Sequence, residues 1–261
     1  MKPALAFRKQ RHPKSWLQIP NGDIILNEIN DVVAKWCPKF FGYHLLKIGA
    51  LSGEVNCDDS PINHHITVSE DVENASVVAD IDDLPFLEHS IDVCVLSNVL
   101  EFTGDPHHVV REANRVLIPN GYLVITGFNP FSLAGLNRFI PYRRQHFPWN
   151  ERFFSAMRVK DWLHLMGYEI LADEHLLHSS LVGEIGQGKL IDYWNKFAKA
   201  FLPQLASVYV IVAKKRVLPL TPIKPKWKLS PKFSPVKVAG MSSSHKSPKR
   251  NVLNTNTTGR K

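Results

Sequence analysis

VVADIDDLPFLEHSIDVCVLSNVLEFTGDPHHVVREANRVLIPNGYLVITG, residues Val77 to Gly127, is the stretch on which the fold turns. Within it, Ile91 to Ser97 (IDVCVLS) sets Val, Cys, Val and Leu in succession, with no alternation of polar and apolar positions. Such a run reads as a strand covered on both faces, the usual condition of a parallel sheet. Asp105-Pro106 then opens a helix, since Asp suits the N-cap and Pro the first turn. Val109, Val110, Ala113 and Val116 follow at helical spacing, and the helix is expected to run to about Leu117. Pro119-Asn120-Gly121 turns the chain into the next strand, Tyr122 to Thr126. Strand, helix and strand in this order make one parallel crossover unit.

The same alternation continues on both sides. Upstream, His44 to Gly49, His65 to Ser69 and Ser76 to Asp80 read as short strands; downstream, Tyr168 to Ala172 and Ser207 to Ala213 do. Asn21 to Trp36 carries Ile25, Ile29, Val32, Val33 and Trp36 on one side of a helix, and Arg158 to Met166 is a further helix closed by Gly167. The fold class is therefore α/β, a doubly wound, Rossmann-like, seven-stranded and mostly parallel sheet.

Hydrophobic residues are 44% of the 261, which excludes wholesale disorder, and the net charge of +8 is unevenly placed. Residues 1–14 hold five Lys and Arg and residues 214–261 hold 13, with no acid in either, so the intervening body is net −10. Residues 217–261 are rich in Pro, Ser and Thr and are expected to be a disordered basic tail. The tail repeats Thr221-Pro222-Ile223-Lys224, Ser234-Pro235-Val236-Lys237 and Ser247-Pro248-Lys249-Arg250, turns that carry cations and suit contact with DNA phosphates. The bland alternative is a solubilising tail. Neither basic end is expected to pack on the body. Three cysteines without a C-x-x-C pair make neither a disulfide scaffold nor a zinc site. The longest late apolar run, Leu205 to Ala213, is too short to span a bilayer. These features point to a cytoplasmic location and to no transmembrane segment.

Several ordered features of Val77 to Gly127 resemble the second half of class I S-adenosylmethionine-dependent methyltransferases of the type 11 domain. They are Asp80 before Leu84-Pro85-Phe86, Ile91-Asp92, Asn98-Val99-Leu100, Arg111-Glu112, Arg115-Val116-Leu117 and Pro119-x-Gly121. Asp161-Trp162-Leu163 to Gly167-Tyr168-Glu169 and the last strand before Lys214-Lys215-Arg216 fit as well. With HLLKIG and GFNP added, the chain looks most like the bacterial YafS-type methyltransferases. The resemblance divides the chain into an N-terminal arm and helix (1–40), a methyltransferase domain (41–216) with an aromatic and basic insertion (128–149), and the tail (217–261).

The resemblance implies S-adenosylmethionine as cofactor and assigns its contacts. Gly49 and Gly53 hold the outer positions of a Gly-x-Gly-x-Gly turn; Leu51 stands at the middle one, and Lys47 replaces an acid. A lysine there is expected to repel the cofactor's ammonium group. Only eleven residues, including Pro61, separate Gly53 from His65, so the helix after the turn must be very short or absent. The ribose-binding acid aligns with Ser69, leaving Glu70 or Asp71 to substitute. Asp80 and Ile81 are expected near the adenine, and Ser97, Asn98 and Glu101 near the methyl.

Glu101 is the candidate general base, against the alternative of a solvated loop carboxylate. His108 and Glu112 share a helix face, but no third ligand accompanies them and no metal is expected. Glu112 with Arg115 reads as a structural contact. Asn129-Pro130 follows the wrong strand to act as an amine-methylating signature. Residues 128–149, with Arg138, Arg143, Arg144 and His146, read as a lid that selects the acceptor or as ordinary surface packing. Three functions stay open: methyl transfer to a small molecule, a binding module that kept the fold and lost the cofactor, and nucleic-acid methylation tethered by the tail.

Overall fold

The computed structural model describes residues 13–71, 75–140, 142, 148–178 and 205–216. The chain divides into Met1–Leu218 and Pro219–Lys261, and all described residues lie in the first unit. The expected tail and its Ser/Thr-Pro repeat lie outside the described residues.

Seven strands form one sheet in the order β3-β2-β1-β4-β5-β7-β6. They are β1 (His44–Ile48), β2 (His64–Ser69), β3 (Val77–Val78), β4 (Ile91–Ser97), β5 (Leu117–Phe128), β6 (Tyr168–Leu176) and β7 (Val208–Lys215). β1 to β5 pair in parallel, while β7 runs antiparallel to both β5 and β6. This is the mostly parallel, doubly wound sheet expected from the strand runs.

The two faces of the sheet are covered by different layers. Along β4, Val93 and Val95 point into one core while Cys94 and Leu96 point into the other; β7 alternates likewise. The first core holds α1 (Gly22–Trp36), whose Ile25, Ile29, Val32 and Val33 are buried as their spacing predicts. The second holds α3 (Pro106–Val116) and α5 (Ala156–Leu165); the short α4 (Leu133–Leu136) lies between them in sequence. The Asp105 carboxylate accepts from the His108 N–H at 3.1 Å and caps α3. Gly167 follows α5 at φ +83°, the left-handed conformation of a helix stop.

Two local expectations change. Pro119-Asn120-Gly121 does not turn the chain into a separate strand. β5 already pairs at Leu117 with Ile91, loops outward, and resumes at Tyr122 opposite Val93. Asn120 takes φ +65° to make that irregularity. Of the N-terminal basic end only Pro13 and Lys14 are described; Pro13 is buried, and the chain just after them packs on the body. Trp16 is fully buried, its indole N–H donates to the Leu51 carbonyl at 3.0 Å, and its backbone N–H donates to the Glu54 carboxylate. Lys14 beside it stays half exposed and pairs with Asp71. As the sequence implies, only a four-residue α2 (Ala50–Gly53) follows β1.

Candidate active site

β1, β2 and β4 end at one edge of the sheet, where Ile48 lies opposite Val68 on one side and Leu96 on the other. The residues that follow meet there: Gly49 after β1, Ser69 to Asp71 after β2, and Ser97 with Asn98 at the end of β4. They border a cleft of about 370 Å³. Open α/β sheets bind ligands at such an edge, where the strand order reverses.

Gly49 turns at φ +86° and donates its N–H to the Val68 carbonyl at 2.7 Å. A Cβ there would lie 2.8 Å from a Val99 methyl carbon, so conformation and space both demand glycine. At the end of β4, Asn98 sits at φ +50° with its N–H on the Thr126 carbonyl at 3.1 Å. The Thr126 hydroxyl donates to Asn98 Oδ1 at 2.6 Å. The Ser97 N–H donates to Ser52 Oγ at 2.7 Å, which ties α2 to β4. This network fixes the Asn98 amide, engages its oxygen and leaves its buried Nδ2 without a hydrogen-bond acceptor.

At the end of β2, the Asp71 N–H donates to Ser69 Oγ at 3.2 Å, and Glu70 and Asp71 both border the cleft. Pro13 and Lys14 close it from the N-terminal side, with Lys14 Nζ 2.6 Å from Asp71 Oδ2.

The two departures in the glycine turn have structural explanations. Lys47 does not border the cleft; its ammonium donates to the carbonyls of Val55 at 2.7 Å and Gly53 at 3.3 Å. It thereby satisfies carbonyls at and beyond the end of α2, and repulsion of a cofactor ammonium does not follow from its placement. Beside it, the Cys57 thiol is held below its ordinary range by a hydrogen bond with Cys37 and by the Lys47 charge, against the opposing effect of burial. Leu51 is 3% exposed and belongs to the same core as Trp16, so its side chain packs with the N-terminal layer.

Of the residues singled out from sequence, Gly49, Glu70, Ile81, Ser97 and Asn98 border the cleft, whereas Gly53, Asp80 and Glu101 do not. Gly53 ends α2, its N–H on the Gly49 carbonyl. Asp80 is exposed, and its carboxylate accepts from the Asp82 N–H at 2.9 Å, shaping the turn that carries Ile81 to the cleft. Glu101 is neither solvated nor in the cleft. It is 2% exposed, accepts from the Phe128 N–H at 2.7 Å, and has its other oxygen unpartnered. Burial pushes its carboxyl up to about 8. Glu112 and Arg115 form an ion pair at 2.8 Å, and the guanidinium also holds the Leu84 and Phe86 carbonyls. Asn129 braces the start of the insertion through its amide on the Ala206 carbonyl at 2.9 Å. Sequence reading missed Pro13, Lys14, Ser52 and Thr126. Trp16 beside the capping Ser15 was the one available signal that the arm packs.

Residues 46–125 match the methyltransferase domain family. The chain is 39% identical over 221 residues to the uncharacterized protein YafS of Escherichia coli K12, covering 85% of this chain and 88% of that protein. Among solved structures, it is similar to a SAM-dependent methyltransferase from Thermotoga maritima (TM-score 0.52, 20% identity, 74% of this chain and 93% of that one). It is also similar to one from Archaeoglobus fulgidus (TM-score 0.53, 19% identity, 73% and 94%). Those likenesses show the fold class, a Rossmann-like methyltransferase sheet. The chain belongs to the methyltransferase domain family, together with YafS.

Proposed function

We propose that this methyltransferase takes S-adenosylmethionine as its cofactor and transfers its methyl to a small-molecule acceptor. One observation carries the reading: the cleft joins a glycine-only turn after β1, two carboxylates at the end of β2 and Ser97 with Asn98 at the end of β4. These groups fit the parts of the cofactor. Gly49 lets the ligand approach the backbone closely. Glu70 and Asp71 are suited to ribose hydroxyls, and Ile81 to the base, with Asp80 shaping the rim. Ser97 and Asn98, at the end of β4, lie where the methyl-bearing end would be held.

When bound, the cofactor supplies a methyl activated by its positive sulfur. The chain supplies position and exclusion of water. The Ser52–Ser97–Asn98–Thr126 network holds the floor in one arrangement, and Phe102 and Val99 make part of the wall apolar. No proton step is given to Glu101, because a carboxyl that holds its proton up to about 8 and lies outside the cleft is not a base at neutral pH. We propose for it a structural role beneath the cleft.

The test is the melting temperature of the full chain with S-adenosylmethionine or S-adenosylhomocysteine. A ligand at about a hundred times its Kd adds about 2.7 kcal/mol and raises the melting point by several degrees. No shift with millimolar ligand would sink the reading and favour a fold that has lost its cofactor. The nucleic-acid reading rests on the basic ends alone.

A further inference from the structure

Residues 131–140 and Tyr142 follow β5 at the same sheet edge as the cleft, and they are built inside out. Their small and polar side chains face the protein: Ser132, Ala134, Gly135 and Asn137 are buried. Their large apolar side chains face out, with Phe131 68%, Phe139 81% and Tyr142 78% exposed, and Leu133, Leu136 and Ile140 exposed beside them. This is not a frayed segment. The Gly135 N–H donates to Ser132 Oγ at 3.0 Å, Ser132 Oγ donates to the Asn129 carbonyl at 2.7 Å, and the Trp149 indole donates to the Ala134 carbonyl at 2.8 Å. A Cβ at Gly135 would lie 2.2 Å from the Pro130 carbonyl oxygen, so the inner face is seated against backbone. A fixed segment that buries its small side chains and exposes six large apolar ones presents an apolar surface outward at a hydration cost.

The charge of the same stretch says what would cover it. Residues 128–150 contain Arg138, Arg143, Arg144 and His146 and no Asp or Glu. Aromatic and aliphatic side chains with arginines interspersed, and no carboxylate to repel phosphate, suit the interface of an anionic bilayer. No helix among the described residues is long and apolar enough to cross a membrane. We propose that the outward face of residues 131–140 and Tyr142 docks the protein peripherally on an anionic membrane, with Phe131, Phe139 and Tyr142 entering the headgroup boundary. The proposal rests on this surface and is independent of which cofactor the cleft takes.

Full-length protein is sedimented with vesicles of equimolar phosphatidylcholine and phosphatidylglycerol, and with phosphatidylcholine alone. The expected result is binding to the anionic vesicles, with a partition coefficient lowered at least about tenfold in the Phe131→Ser/Phe139→Ser/Tyr142→Ser variant. All three positions are exposed, so the variant should melt at the wild-type temperature. A Phe139→Trp variant supplies a second readout, a blue shift of emission and quenching by brominated lipid on anionic vesicles. Absence of binding would overturn the proposal. So would equal binding by wild type and the triple variant, which would assign the attraction to the basic ends. Unquenched Trp emission on bound vesicles would overturn it too.

Discussion

Glu101 at the residue scale is defined by what surrounds it. Its carboxyl sits under Gly127 beside the Tyr209 hydroxyl, with one hydrogen bond from the Phe128 N–H. In the unfolded chain it releases its proton above about 4.5, whereas in the fold it keeps it to about 8. Between those values the folded state binds one proton more, so stability falls as pH rises, by about 1.4 kcal/mol per pH unit. Glu101→Gln keeps an acceptor for the Phe128 N–H and removes the slope. Urea unfolding at about pH 5 and about pH 8 should therefore show the variant gaining on the wild type with pH, by a few kcal/mol. A constant difference would mean that Glu101 is ionised in the fold. Nothing local to Leu100-Glu101-Phe102 announced this burial, because the groups that seal it come from β5 and β7.

At the scale of elements, the turn and α2 explain one another. The eleven residues between Gly53 and His65, with Pro61 among them, left no room for a long helix, and α2 has only four residues. A helix that short cannot satisfy its own carbonyls, and Lys47 reaches around from β1 to hold those of Gly53 and Val55. Lys47→Met should cost about 1–3 kcal/mol in chemical denaturation, through buried carbonyls left without donors. It should leave S-adenosylhomocysteine affinity unchanged by calorimetry. A tighter cofactor complex in that variant would restore the view that the lysine opposes the ligand. The helix caps and strand runs were legible because each depends on neighbours in sequence. The long β5 was not, since its pairing at Leu117 is decided by Ile91 on another strand.

At the scale of the whole molecule, the N-terminal arm and the sheet share the cleft. Lys14 pairs with Asp71 at its border, and Trp16 anchors the arm on α2. Lys14→Glu would set a carboxylate against Asp71 and Glu70 and should weaken S-adenosylhomocysteine binding several-fold, with added salt narrowing the gap. An unchanged Kd by calorimetry would show that the arm is no part of the binding wall. Of the contacts that the family resemblance assigned, Gly49, Glu70, Ile81, Ser97 and Asn98 border the cleft, at or just beyond the ends of β1 to β4. The arm's share could not be read in advance, since Lys14 lies 57 positions before its partner Asp71.

The sequence by itself determined the doubly wound sheet, its caps and the shortened first crossover. These follow from periodicity and turn chemistry, which act between residues near in the chain. Only the tertiary structure decided the direction of side chains near the cleft: Lys47 away from it, Glu101 buried outside it, Lys14 onto Asp71 at its border, and the large apolar residues of 131–140 with Tyr142 outward. Each of those directions is set by which distant carbonyl, carboxylate or apolar layer is left to be satisfied once the strands have assembled, and no local pattern encodes that.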